Sequence, residues 1–540
     1  TPTNYTASSG NNGGNYATLN PLMHDSQGTL SNGNLELTGG SGVFHGFSTI
    51  GVSSGKWYAE VTGLTGGGSS NYLAGIADLT QLNGSSVFDG FSRGYGYRND
   101  AKKINNNTAA SYGATYTTSD VIGIAADLDN GTITFYKNGT SQGTAYTGIP
   151  SGYTYHFAHF CRTSSDKVAW NFGQRPFAYT PPTGHVSLCT QNLPDPTIAD
   201  GSTAFEAITY SGNSSTQVIN TSFSADFIWT KVRNDTYRNA LLDIIRGGSG
   251  LLHTDRTLAE NTSTQIISNF GSSSYTLTND PNVNQTNKNY VAWTWDAGTS
   301  TVSNTDGNVT ANVRANASAG FSIISVPSID STNTIRTAGH NLNSEPYFII
   351  SKNRDFADNW FCYHKDVQTN NRQQLRLNTT DGTITSGSDL WAHTSSVIGF
   401  NGALYVASGN TDDLIFYCWT PVEGFSAFGS YATNGSADGP FVYTGFRPRW
   451  ALLKESSASG ELWVIYDSAR NTSNVMGKQL YPSSSAAEAD ASADTHARID
   501  FLSNGFKIRG SHSSINTNGE TIIYAAFSDK AFSLNGGLAR

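Results

Sequence analysis

Charge is scarce in this 540-residue chain. Asp, Glu, Lys and Arg together make up 14 % of it, against about 25 % in an ordinary globular domain. Surface helices clothe their outer faces in those residues, so the shortage argues against many helices. Cysteine is also rare. Cys161, Cys189, Cys362 and Cys418 are too few and too scattered for a disulfide framework or a zinc site, and are expected as buried free thiols, which suits assembly in a reducing cytoplasm. With a net charge of -9 and no basic run, the chain lacks the clustered Lys and Arg that neutralise nucleic-acid phosphates. It also lacks the apolar run, roughly 18 residues or more, that a membrane helix needs. The segment from Thr1 to Gly14 has no charged-then-apolar signal pattern. The chain opens on Thr1 and not on Met, so it is expected to be processed or to be a piece of a longer polypeptide.

Catalytic signatures are missing too. The 11 histidines form neither His-x-x-x-His nor His-Glu-x-x-His, and there is no Gly-x-Ser-x-Gly elbow. Asp127-Leu-Asp129-Asn-Gly131 opens like a calcium loop, but Lys137 stands where the bidentate glutamate belongs, so a hairpin turn is expected. No catalytic residue, metal or cofactor is therefore expected. Paired carboxylates for glycoside hydrolysis leave no sequence signature. A β-helical depolymerase, however, would repeat about every 20 to 25 residues, whereas this chain repeats about every 100.

What is abundant is glycine, at 56 residues, and aromatic residues, at 12 %. Residues 15 to 176 alternate short apolar strands with turn signals. Val121-Ile-Gly-Ile-Ala-Ala-Asp-Leu128 meets Asp129-Asn130-Gly131, in which Asn-Gly supplies the positive φ angles of a hairpin, and Thr132-Ile-Thr-Phe-Tyr136 returns. Three phrases carry a resemblance: Gly55-Lys-Trp-Tyr-Ala-Glu-Val61, then Asp127 to Gly131 with Thr134-Phe-Tyr-Lys-Asn-Gly139, then Val168-Ala-Trp-Asn-Phe-Gly173. In this order and spacing they resemble a SPRY domain. The resemblance covers the first third of the chain and implies a β-sandwich that binds partners through loops at one end, without catalysis. In the loop segment Phe88-Asp-Gly-Phe-Ser-Arg-Gly-Tyr-Gly-Tyr-Arg98, glycines are expected to leave Phe88, Phe91, Tyr95, Tyr97 and Arg98 open for binding, with the rings stacking on sugars. The alternative is that two of the rings belong to a buried strand. Residues 177–202 are proline-rich and should form an extended connector.

Beyond the connector the chain repeats itself. Phe227-Ile-Trp-Thr-Lys231, Phe348-Ile-Ile-Ser-Lys352 and Trp450-Ala-Leu-Leu-Lys454 each end in lysine. A polar break follows 12, 12 and 13 residues later, at Asp243, His364 and Asp467. Each copy closes on an aromatic strand, Val291 to Trp295, Ile415 to Trp419 and Ile523 to Phe527, and opens near Phe205, Phe321 or Phe425. The expected architecture is all-β, with tandem antiparallel β-sandwich domains: a SPRY-like sandwich over 1–176, then repeats over 203–300, 320–423 and 424–540, with a linker at 301–319. The lysines are expected to snorkel to the surface. Asp243 with Arg246 and Asp467 with Arg470 are expected as ion pairs or turn anchors. Ser483 to Ala497 is the one plausible helix, or else a mobile loop.

Asn289-Tyr-Val-Ala-Trp-Thr-Trp-Asp296, Gly424-Phe-Ser-Ala-Phe-Gly-Ser430 and Gly435 to Pro448 are similar to phrases in large structural proteins of tailed bacteriophages, those of aquatic phages and cyanophages above all. That resemblance implies a non-enzymatic virion protein, a tail fibre or appendage that contacts a host-surface glycan or protein by multivalency. It further implies self-association, with three-fold symmetry by analogy with fibres, and other virion proteins as partners. The rival readings are a purely structural virion decoration or capsid fibre, a polysaccharide depolymerase and a secreted adhesin.

Overall fold

The computed structural model describes residues 15–23, 28–40, 44–66, 68, 72–81, 90–406, 409–491 and 497–529. The fold is all-β. Among the described residues, α-helix is confined to two single turns, Gly402–Tyr405 and Ser513–Asn516. The chain divides into two compact units, one reaching Asp195 and the other starting at Pro196.

The first unit is a sandwich of two antiparallel sheets. One is centred on Lys56–Thr65, flanked by Val121–Asp127 and Lys167–Asn171; the other on Tyr155–Cys161, flanked by Phe44–Val52 and Tyr72–Asp78. Period-two alternation sends Trp57, Ala59, Val61, Ile122, Ile124 and Trp170 into the shared core. Val121–Asp127 and Thr132–Lys137 pair as the expected hairpin, and Gly131 takes φ 61° at its turn. The segment expected as a connector stays bound to this sandwich for half its length. The Ala178 and Tyr179 amides donate to the Glu60 carboxylate at 2.8 and 3.0 Å, and Val186–Ser187 pairs in parallel with Trp57 and Tyr58. All four cysteines are buried free thiols.

In the second unit each repeat builds the same four-stranded antiparallel sheet. Its strand order is an opening strand, the aromatic strand, the lysine strand, and a short strand ending in Asp or His. These are Phe205–Ser211, Asn289–Trp295, Phe227–Val232 and Ala240–Asp243 in the first repeat; Phe321–Asp330, Thr411–Trp419, Phe348–Asn353 and Phe361–His364 in the second; and Ser426–Ala432, Thr521–Phe527, Trp450–Glu455 and Val464–Asp467 in the third. Register fixes the equivalences. Phe227, Phe348 and Trp450 oppose Trp295, Trp419 and Phe527. Phe205 and Phe321 oppose the first two of these, but Ser426 opposes Phe527. Phe425 therefore lies one residue outside the equivalence expected for it.

Each four-stranded sheet is buried on both faces. In the first repeat Ile228, Leu242 and Ala292 pack on a smaller sheet that contributes Ile219, Tyr275 and Leu277. The opposite face sends Phe227, Trp229, Leu241, Trp293 and Trp295 into a core shared with Phe321, Trp419, Trp450 and Phe527 of the other two repeats. Ring centroids of Trp295 and Trp419 lie 6.1 Å apart, and those of Trp295 and Phe527 5.4 Å. The repeats are thus three sandwiches around one aromatic centre, not the independent modules expected. A strand that is apolar on both faces needs a second surface to cover it, and here the other repeats supply it.

Two further expectations are corrected. The linker at 301–319 contains strands Thr301–Asn304 and Ala311–Asn316, which extend the second repeat's sheet through pairing with Phe321–Asp330. Of the segment 483–497, expected as a helix or else a loop, the described residues 483–491 hold no helix: Ala489–Asp490 pairs with Lys478–Gln479, and residues 492–496 lie outside the described residues.

A shared core predicts shared stability. Trp295→Ala should cost about 3–5 kcal/mol and accelerate amide exchange in the lysine strands of all three repeats together. Acceleration confined to the first repeat would restore the independent-module description.

Candidate binding face of the sandwich

The loop segment singled out in the sequence is only partly a loop. Phe88 lies outside the described residues. Tyr95 and Tyr97 sit on strand Gly94–Arg98, which pairs with Tyr72–Asp78, and both point inward. Tyr97 packs 5.4 Å from Phe135, and Tyr95 packs 5.2 Å from Tyr146. Phe91 is buried as well. The alternative is therefore the one met: Tyr95 and Tyr97 belong to a buried strand, Phe91 is buried with them, and none of the three rings stands open for a ligand. The glycines serve close strand approach instead: a Cβ on Gly75 would meet the Tyr95 carbonyl oxygen at 1.9 Å, and one on Gly96 would meet the Leu73 side chain at 2.6 Å. Arg98 is half-buried and held by Asp100 at 2.8 and 2.7 Å.

The partly accessible charge of that segment belongs to Arg93, which the sequence reading passed over. Its Nε donates to the buried Asp78 carboxylate at 2.6 Å, its Nη2 to Thr80 Oγ1 at 3.2 Å, and its amide to Gln81 Oε1 at 2.6 Å. Held in this way, the guanidinium lies 4.1 Å from the ring centroid of Tyr153. Tyr153 is 39 % exposed, one of the few large apolar side chains left in solvent. Tyr153 precedes strand Tyr155–Cys161, whose first residue opposes Asp78, so both groups lie at one end of the sandwich. Charge and ring together make a planar, partly apolar surface fixed before any ligand arrives. Stacking of this kind is worth about 0.5–1 kcal/mol at an exposed site. Only the neighbourhood of Arg93 to a Gly-rich aromatic run hinted at it.

The second set of candidate groups lies in the repeats. Arg246 Nε donates to Asp243 at 2.5 Å, and Arg470 Nε to Asp467 at 2.5 Å, with all four side chains fully buried. These are the ion pairs expected. Each arginine also approaches a glutamate, Glu260 at 3.4 Å and Glu488 at 3.2 Å. Those glutamates bind Arg354 at 2.5 Å and Arg233 at 2.9 Å in the neighbouring repeat. Each aspartate closes the chain by accepting from a neighbouring ring: Asp243 from the Tyr417 hydroxyl at 2.7 Å, Asp467 from Trp293 Nε1 at 3.0 Å. Carboxylates enclosed this way hold lobes together. Among the described residues, no three of His, Cys, Asp and Glu are grouped to hold a metal ion.

Lys231, Lys352 and Lys454 do not snorkel; all three are fully buried. Lys231 Nζ donates to the carbonyls of Val232, Tyr237 and Ser485, which matches the three donors of an ammonium group. Lys352 caps Asn353 and Phe356, and Lys454 caps Glu461 and Thr380. Burial pushes each lysine's pKa down to about 8.

The SPRY domain family matches residues 56–175, and the family described as Domain of unknown function (DUF7483) matches residues 200–531. The second match covers more than half of the chain. The chain belongs to the DUF7483 family. The three-lobed DUF7483 region is thus preceded by a SPRY domain. Two curated relatives are similar to part of the chain: the ATP-dependent RNA helicase DDX1 of Xenopus laevis, 35 % identical over 146 residues, 26 % of this chain and 18 % of the helicase, and Ran-binding protein 9 of Danio rerio, 32 % identical over 131 residues, 24 % of this chain and 22 % of that protein. The chain spans about a fifth of the length of these relatives. Among solved structures, the SPRY domain of human HERC1 is similar over 29 % of this chain and 99 % of that one, at 21 % identity and a TM-score of 0.26. The TRIM65 PSpry domain is similar over 29 % and 93 %, at 17 % identity and a TM-score of 0.25.

The buried lysines of the DUF7483 region predict an unusual pH profile. Their folded pKa of about 8 lies below the ordinary 10.5. Below pH 8 both folded and unfolded states carry the proton. Between 8 and 10.5 the folded state sheds it first, so stability rises by up to about 1.4 kcal/mol per pH unit for each lysine. Buried tyrosines such as Tyr290, raised to about 12 by burial, pull the other way only above pH 10. The melting temperature of this region should climb from pH 8 to 9.5, and Lys454→Met should flatten the climb. A steady fall over that interval would count against lysines whose pKa is depressed by burial.

Proposed function

We propose that the chain is a non-catalytic binding protein of a tailed-phage particle, an appendage component that contacts the host surface. In this reading the SPRY domain supplies recognition and the DUF7483 region supplies a rigid support. The observation that carries it is a contrast in how the polar groups are used. The buried Asp, Arg and Glu side chains of the DUF7483 region, with Lys231 and Lys454, are engaged between lobes, whereas Arg93 and Tyr153 are pre-positioned at the surface. Placement on a phage rests on the resemblance of Asn289 to Asp296 and Gly424 to Ser430 to phage structural proteins.

The partner suited to the Arg93–Tyr153 face is a sugar or another planar polar group on the host envelope, since the ring offers a stacking surface and the guanidinium offers donors. A single site of this size near millimolar affinity is worth only about 4 kcal/mol. Presentation in several copies on a symmetric oligomer raises binding by roughly 10² to 10⁴.

The full chain should bind reproducibly to a glycan array or to host cells, and Arg93→Ala with Tyr153→Ala should lower that binding at least about tenfold, or about 1.4 kcal/mol. Silence of the unaltered protein on both would favour a purely structural virion role. New reducing ends released from host polysaccharide would favour a depolymerase.

A further inference from the structure

The three joints between repeats are built to one plan. At each, a backbone amide in one repeat donates at 2.7 Å to the carbonyl two residues beyond the next repeat's lysine: Glu260 to Arg354, Thr383 to Ser456, and Glu488 to Arg233. Seven residues before each of those amides lies a carbonyl that accepts from the next repeat: His253 from Trp360 Nε1 at 2.9 Å, Arg376 from Trp463 Nε1 at 2.9 Å, and Tyr481 from Asn239 Nδ2 at 3.0 Å. The repeats therefore close a ring, first to second, second to third, third to first. The third joint has the same form as the other two although no peptide runs directly across it.

The second-to-third joint departs from the plan in two independent ways. At the other two joints an Asp, an Arg and a Glu form a continuous charged network that reaches an arginine of the next repeat. At this joint the corresponding residues are His364, Val367 and Thr383, opposite Ser456, and among the described residues no salt bridge runs across it. The second departure is steric. Register makes Trp293, Tyr417 and Ala525 equivalent, since they oppose Trp229, Ile350 and Leu452. Where Trp293 and Tyr417 reach into the neighbour and donate to its aspartate, Ala525 has nothing to offer, and His364 Nε2 lies 3.3 Å from the backbone carbonyl oxygen of Tyr524 instead. The missing ring leaves a gap lined by Phe348, His364, Leu452, Trp463, Tyr524 and Ala525, too narrow for a water molecule. An unfilled apolar gap forfeits dispersion contacts and the area burial of the absent side chain.

We infer that the ring has one built-in seam, the joint between the second and third repeats, and that it opens there before it opens at either other joint. Lys454 donating to Thr380, Gly460 donating to Thr380 and Gly382 donating to Ser459 still bridge this joint. Thr420 to Phe425 tether its two repeats covalently. Opening is consequently a hinged separation that leaves the third repeat attached to the first through Arg233 and Glu488. It would uncover the apolar faces of Phe348, Leu452 and Trp463.

The three equivalent amides give the test. In hydrogen exchange on the full chain, corrected for intrinsic sequence effects, the Thr383 amide should exchange at least about tenfold faster than those of Glu260 and Glu488, as expected for the least stable of three subglobal openings. Equal exchange at the three amides, or fastest exchange at Glu260 or Glu488, would each overturn the seam.

Discussion

Everything in the DUF7483 region follows from burying both faces of one four-stranded sheet. Phe227, Trp229 and Lys231 point one way from their strand, while Ile228 and Val232 point the other, and every residue of that strand is buried. A lone sandwich covers one face of such a sheet and leaves the other as a slab of aromatic surface in water. Three copies placed face to face remove that slab for all of them at once. The same geometry dictates the rest. The central positions fill with Trp and Phe because large rings span the distance between three converging sheets. The lysines at the strand ends find themselves enclosed. The indole N–H groups of Trp229, Trp295, Trp419 and Trp450 in the shared core are left without a partner, whereas the charged groups between lobes meet partners there.

That last constraint explains why the charged groups come and go as sets. A buried carboxylate left without its arginine costs several kcal/mol, so a network of this kind is stable complete or replaced wholesale, and not half-built. The second repeat shows the replacement. His364, Val367 and Thr383 stand where Asp, Arg and Glu stand elsewhere, and the next repeat offers Ser456 and Ala525 where the others offer arginine and an aromatic donor. Each change alone would strand a charge or a hydrogen bond, whereas together they leave a joint without the Asp-Arg-Glu set, crossed by the Lys454 ammonium. The strongest polar network, by contrast, lies where the third repeat meets the first. There Asn239, Lys231 and Arg233 all bond to the third repeat, and no short tether holds the lobes.

Much of this was legible in the sequence, up to a definite physical limit. The lysine strands, the 12-residue step to the polar break and the aromatic closing strands mark the repeats, and the Asp-x-x-Arg pairs announce themselves by spacing. What covers a doubly apolar strand is not a local property. Phe227-Ile-Trp-Thr-Lys reads the same whether its second face meets a helix, another chain or a sister repeat, so the shared core stayed hidden. The lysines misled for the same reason, since an ammonium at a strand end reaches solvent unless another lobe closes over it. Residues 301–319 look like a linker by composition, yet they gain strand partners from a sheet edge that only the folded repeat exposes.

In the SPRY sandwich, glycine beside aromatic residues is compatible with an open loop or with a buried strand. Here glycine marks close strand approach: Gly75 and Gly96 lie opposite each other in the paired strands, with no space for a side chain at either. Tight approach there lets Tyr95 and Tyr97 settle on the inner face, so the feature that suggested exposure is part of what buries the rings. The ring that remains outside, Tyr153, comes from a different loop and is recognisable only through the arginine that Asp78 and Thr80 hold beside it. What stands ordered in solvent on this sandwich is thus set by a charged side chain anchored on a buried carboxylate at a sheet end, and not by the aromatic density of its loops.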